Sequence, residues 1–101
     1  MIRGIIGYQV SSYKDVEPIF MQLRSHAMQY SGFVSAENLV SEEDPSVVVM
    51  ITTWETIEHW RKWAKSRKTK ELLRQLEQAK AVIIGAARLT AYRTLPTKEW
   101  S

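Results

Sequence analysis

The chain contains no cysteine and only two histidines, and none of its apolar runs approaches the roughly 18 residues that a membrane-crossing helix needs. Without cysteine there are no disulfides, no thiolate nucleophile and no cysteine-ligated zinc or iron–sulfur centre. Two histidines leave little for any other metal site, so chemistry without a protein-bound metal is expected. The N-terminus passes from Met1 straight into a strand-like pattern and lacks the basic start and apolar core of a secretory leader. These absences place the chain in the cytoplasm, away from membranes. Internal repeats, linkers and low-complexity segments are also missing, which predicts one domain over residues 1–101, with 96–101 as a tail.

What is present is a balanced globular composition, 45% hydrophobic and 25% charged, with a net charge of +3. The charge is uneven. Arg61, Lys62, Lys65, Arg67, Lys68 and Lys70 fall within ten residues, while Glu42, Glu43 and Asp44 stand together. A basic stretch can attract nucleic acid, but this one has no Gly-rich loop, aromatic strand pair or helix-turn-helix pattern beside it. It reads as a solvated face, and no nucleic-acid partner is expected.

Periodicity supplies the architecture. Residues 2–10 alternate as a half-buried strand, whose glycines permit close approach by a neighbour or ligand. Val16, Ile19, Phe20, Leu23, Ala27 and Tyr30 share one helical face, with Asp15 as a cap, Pro18 in the first turn and Gly32 as the stop. Residues 33–41 form a second strand, and Glu43-Asp44-Pro45-Ser46 turns into a third, Val47 to Ile51, apolar on both faces. Thr56 can cap the next helix, with Glu58 near its positive end. A further helical piece over 69–79 buries Leu72, Leu73 and Leu76, and residues 82–95 complete a long last strand.

The order β-α-β-β-α-β, with a divided second helix, predicts an α+β, ferredoxin-like fold: one antiparallel sheet with helices on a single face. The other face would be left apolar. Homodimerisation through the sheets is the economical way to cover it.

Three of the four tryptophans, Trp54, Trp60 and Trp63, lie within ten residues. A large ring with a polar N–H clusters either in a tight core or around a shaped cavity, and both readings stand. At about 100° per residue, Ile57, Trp60 and Ala64 share the inner face, Trp63 lies at the rim and His59 points away. His26, at the edge of the first helix's apolar face, can reach into the space between helix and sheet.

The strand ending in Trp54-Glu55-Thr56, followed by Trp60, Trp63 and Ser66, with Gly32-Phe33 upstream and Glu42-Glu43-Asp44-Pro45 before the strand, resembles the antibiotic biosynthesis monooxygenase (ABM) domains. The resemblance covers nearly the whole chain. It implies a dimeric ferredoxin-like fold of the dimeric α/β-barrel superfamily, which includes cofactor-free quinone-forming monooxygenases and haem-degrading ones. In the first branch an asparagine precedes the signature tryptophan by four residues, a tyrosine follows it by six and an arginine by twenty. Those places hold Met50, Trp60 and Arg74 around Trp54, so the tryptophan and arginine match, the aromatic shape is kept and the amide is lost. In the haem-degrading branch Trp63 matches the helix tryptophan, but Leu73 stands where the axial histidine is expected and Gly7 where the asparagine is.

The resemblance therefore implies a cofactor-independent monooxygenase that oxidises a small aromatic, phenol- or hydroquinone-like, with dioxygen. In that reading Trp54, Arg74 and Tyr8 are catalytic: the indole N–H donates to the substrate, the guanidinium stabilises its anion and the phenol relays a proton. Trp60, Trp63, Phe20, Met50 and His26 would line the substrate slot between sheet and helices. Two alternatives remain open: a haem-binding or haem-degrading monooxygenase using His26 or His59, and a ligand-binding or dimerisation module without catalysis.

Overall fold

β1, Ile2–Gln9, buries alternate side chains against the helices, and Val10 continues the pattern beyond its end. The computed structural model describes residues 1–79, 82–83 and 90–95. α1, Tyr13–Met28, turns Val16, Phe20, Leu23 and Ala27 inward. It begins at Ser12 without a side-chain cap, so Asp15 lies inside its first turn instead of capping it. Pro18 falls in the second turn, not the first, where its missing N–H forgoes one helical bond. α1 ends at Met28, and Gly32, at φ 84°, serves the following turn, not the helix end itself.

β2, Phe33–Val40, and β3, Val47–Trp54, form an antiparallel hairpin, and β3 also pairs with β1 throughout, from Ile2 opposite Trp54 to Gln9 opposite Val47. After Trp54 come α2, Ile57–Ala64, and α3, Arg67–Gln78. α3 starts two residues earlier than its apolar spacing suggests because the Ser66 hydroxyl accepts from the Thr69 N–H, 3.2 Å away. The last strand is described as two pieces, β4, Val82–Ile83, and β5, Thr90–Arg93, both antiparallel to β1. Tyr8 faces Ile83 and Ile5 faces Thr90, so the two pieces are out of register by four residues. The part of the predicted strand between them lies outside the described residues.

The sheet order β2-β3-β1-β4 is the ferredoxin-like arrangement expected from the sequence. Cross-strand register defines its two faces. Ile6, Tyr8, Val48, Met50 and Trp54 meet the helices and are buried. On the other face Ile5, Val47, Val49 and Ile51 are half-buried, and Leu39 and Tyr92 are 44% and 48% exposed. Among the described residues no helix is long and apolar enough to cross a membrane.

A bulge at Val34 decides what β2 shows to each face. Phe33 pairs with Trp54, but Ser35 pairs with Thr53, so the alternation changes parity there. Ala36, Asn38 and Val40 consequently stand on the helix side, while Glu37 and Leu39 stand on the other.

Candidate functional site

Where β3 runs into α2, the chain builds a corner almost entirely of aromatic rings. Trp54 ends the strand, and Thr56 caps the helix by accepting from the His59 N–H. Trp54 and Trp63 are fully buried with ring centroids 5.5 Å apart at 32°, and Phe33 meets Trp54 edge-on at 5.6 Å. Offset and edge-on contacts of this kind suit the ring quadrupoles and add to the area they bury.

Trp60 lies over β1 at Gly4. A Cβ there would fall 2.5 Å from the indole Nε1 and 2.7 Å from the Thr52 Oγ1, so only glycine leaves room for both. Gly4 is the close-approach glycine that the strand pattern allowed. Trp63 is the buried residue and Trp60 the half-buried one, the reverse of the helical-wheel expectation. A wheel gives the phase of the apolar stripe but not the tilt of the axis, and here the C-terminal end of α2, Trp63 and Ala64, sits deepest. His59 is also not turned away: its ring covers Gly32, and its Nδ1 stands 2.7 Å from the Thr56 hydroxyl.

The three indole N–H groups fare differently. That of Trp54 donates to Thr52 Oγ1 at 2.8 Å, and the Thr52 hydroxyl lies 3.4 Å from the Gly4 carbonyl to which it donates. Those of Trp60 and Trp63 are buried with no hydrogen-bond partner among the described residues. An unsatisfied buried donor costs about 1–3 kcal/mol.

The remaining sequence candidates separate. Met50 is buried on β3 between Ile6 and Asn38 of the neighbouring strands. Tyr8 and Phe20 belong to a second aromatic group: Phe20 meets Tyr8 edge-on at 6.3 Å and stacks on Tyr13 at 6.2 Å. Burial, helped by the Glu77 carboxylate, raises the Tyr8 pKa, so its phenol keeps its proton at neutral pH. His26 reaches across to α3, its Nε2 3.0 Å from Ser66 Oγ, with Tyr30 edge-on to its ring. Burial first, and then Lys68, lowers its pKa. Arg74 is exposed, two residues on from the buried Leu72 and so on the opposite side of α3; the structure does not turn it toward the indoles.

The model of the family described as antibiotic biosynthesis monooxygenase matches residues 3–75. The chain belongs to the ABM family. Its fold agrees: SnoaB, a cofactor-independent oxygenase from Streptomyces nogalater, superposes with a TM-score of 0.79 at 13% identity, covering 95% of this chain and 94% of that one. A conserved protein from Methanosarcina mazei Go1 gives 0.77 at 17% identity over 93% and 92% of the two chains. A structure described as an antibiotic biosynthesis monooxygenase gives 0.74 at 14% over 95% and 100%. No curated protein matches the chain.

Within this ABM fold, a cavity of about 360 Å³ opens at the far end of the sheet from the tryptophans. Tyr13, Asn38, Leu39, Val40, Pro45 and Val48 line it. None of these residues was expected to line a site, Pro45 having been placed in the turn before β3, and Phe20, expected among the tryptophans, instead backs Tyr13 here. Thr52 was missed as well. A hydroxyl amid buried apolar strand residues was the available signal for it.

Proposed function

We propose that this ABM-family chain is a monooxygenase that uses neither metal nor flavin and oxidises a small electron-rich aromatic at the tryptophan corner. The observation that carries this reading is the pair of buried, unpartnered indole N–H groups of Trp60 and Trp63. A substrate oxygen accepting from them would be met by donors already fixed in place and shielded from water, which favours the phenolate over the phenol. The phenolate can itself pass an electron to dioxygen. Recombination forms a peroxide anion on a ring carbon, which takes back the proton released when the phenol ionised to become the hydroperoxide; loss of that carbon's remaining hydrogen as a proton, with O–O cleavage releasing hydroxide, leaves a carbonyl and water.

Trp54, held by Thr52, is the wall behind the substrate, and Met50 lies further along the same strand face. Tyr8, which stands with Phe20 four residues along β1 from Gly4, is too far from the corner to relay a proton there. The indole donors take the anion-stabilising role expected of Arg74, since that guanidinium faces outward. Haem is disfavoured by placement: His26 is engaged with Ser66 and His59 with Thr56 over Gly32.

The same proposal includes a homodimer joined by the outer sheet face, where Leu39 and Tyr92 are about half exposed beside Ile5, Val49 and Ile51. Sedimentation showing a monomer at micromolar concentration would overturn it.

The activity is tested by oxygen uptake with a panel of hydroquinones and anthrones, using chelator-treated, flavin-free protein. Uptake above the autoxidation rate is expected, and Trp60→Phe, which keeps a ring but removes the N–H, should lower it at least tenfold. Uptake no faster than autoxidation, or uptake that appears only with added haemin, would sink the reading.

A further inference from the structure

We infer that the cavity between the start of α1 and the β2–β3 hairpin is a second ligand site, which takes a neutral, largely apolar small molecule and fixes it by hydrogen bonds to Tyr13 and Asn38. The cavity shares no lining residue with the tryptophan corner. Along the β1–β3 ladder, the step from Gly4 opposite Thr52 to Tyr8 opposite Val48 is four residues, a distance of about 13 Å.

Its chemistry follows from its lining. The volume of about 360 Å³ lies within the range of small-molecule sites. Val40, Val48 and Pro45 form an apolar wall, Leu39 borders it from a strand position that faces the other way, and among the described residues no charged side chain lines the cavity. The polar groups are one phenol and one amide, and neither has a hydrogen-bonding neighbour among the described residues. Tyr13 is held from behind by its stack on Phe20, so its ring stands ready without the entropy cost of ordering it. Burial, with the Glu17 carboxylate nearby, raises the Tyr13 pKa and keeps the hydroxyl a donor.

The surroundings disfavour an anion. Glu42, Glu43 and Asp44 precede Pro45, and the Asp44 carboxylate is turned into its own turn, where it accepts from Ser46 Oγ at 2.6 Å and the Ser46 N–H at 3.1 Å. Asn38 reaches the cavity only because the bulge at Val34 moved it to the helix side. A ligand with an apolar body and one hydroxyl or carbonyl matches every feature of the lining.

The test is a set of amide NMR titrations of the full-length chain with 2-naphthol, naphthalene and 2-naphthoate. 2-Naphthol should give saturable shifts at Tyr13, Asn38, Val40 and Val48, binding about tenfold more tightly than naphthalene or 2-naphthoate. Asn38→Leu, on an exposed side chain, and Tyr13→Phe, which keeps the ring stacked on Phe20, should each weaken 2-naphthol about fivefold or more and leave naphthalene unchanged. Equal affinity for the three probes would overturn the proposal, as would shifts confined to Gly4, Trp54 and Trp60. So would concentration-dependent shifts at Tyr13, Asn38 and Val48 without any probe, since a second copy would then occupy the cavity itself, whereas association through the outer sheet face would move Leu39 and Tyr92. Failure here leaves the monooxygenase reading standing, because the lining residues are separate.

Discussion

Where β3 meets α2, two tryptophans are wholly buried, a third rests on a glycine, and a histidine covers another glycine. Where β2 meets β3, the same sheet leaves Val40 57% exposed and a cavity open beneath the first turn of α1. The contrast teaches that one small fold can concentrate its packing at one end and its open volume at the other. Buried large rings at the tight end hold the layers together. The loose end is free to vary its lining at little cost to the whole.

Four substitutions or conditions can break this contrast. The largest effect is expected at the tight end, where Trp63→Ala removes a fully buried ring from its stack on Trp54 and should cost about 3–5 kcal/mol in denaturant unfolding. Gly4→Ala should cost about 1–3 kcal/mol, because its new Cβ must displace the Trp60 ring or the Thr52 hydroxyl. A stability equal to wild type would mean that Trp60 does not rest on β1.

A smaller, pH-dependent effect is expected at His26. The folded chain lowers its proton affinity below the usual 6.5, so the unfolded chain takes up the proton first as the pH falls. Stability from this group is therefore complete above about pH 6.5 and declines as the pH drops through the lowered folded value. Thermal melts between pH 8 and 5 should show that decline, and His26→Asn should flatten it. The smallest effect belongs to the loose end: Val40→Thr should change unfolding stability by no more than about 0.5 kcal/mol. A loss of several kcal/mol there would show that the cavity wall is part of the core.

The strand order, the divided second helix and the Thr56 cap were legible in the sequence because each rests on a local signal. Alternation at Ile2 to Val10 marks a strand, and a threonine ahead of a helical stripe marks a cap. What was not legible depended on geometry between elements. The relative depth of Trp60 and Trp63 depends on how α2 is seated on the sheet, which a helical wheel does not contain. His59 meets Gly32 across 27 residues of chain, and neither residue announces the other. The cavity was hidden by the bulge at Val34. Without that extra residue, Phe33 facing inward would bring Glu37 and Leu39 to the helix side, and Asn38 would face out. Arg74 shows the opposite lesson: a match by spacing places a residue along the chain, while helical phase decides which way it faces.

Two indoles fixed 5.5 Å apart at 32° couple their electronic transitions, so the folded protein should display an exciton couplet in its ultraviolet circular dichroism that vanishes on unfolding. The sign and size of such a couplet depend on ring angle and separation, and a rotation of Trp63 would register even where the backbone stayed still. A molecule entering at the Trp60 and Trp63 N–H groups would alter the couplet, whereas one seated beside Tyr13 would not. The Trp54–Trp63 pair thus gives the chain a built-in spectroscopic reporter that needs no label.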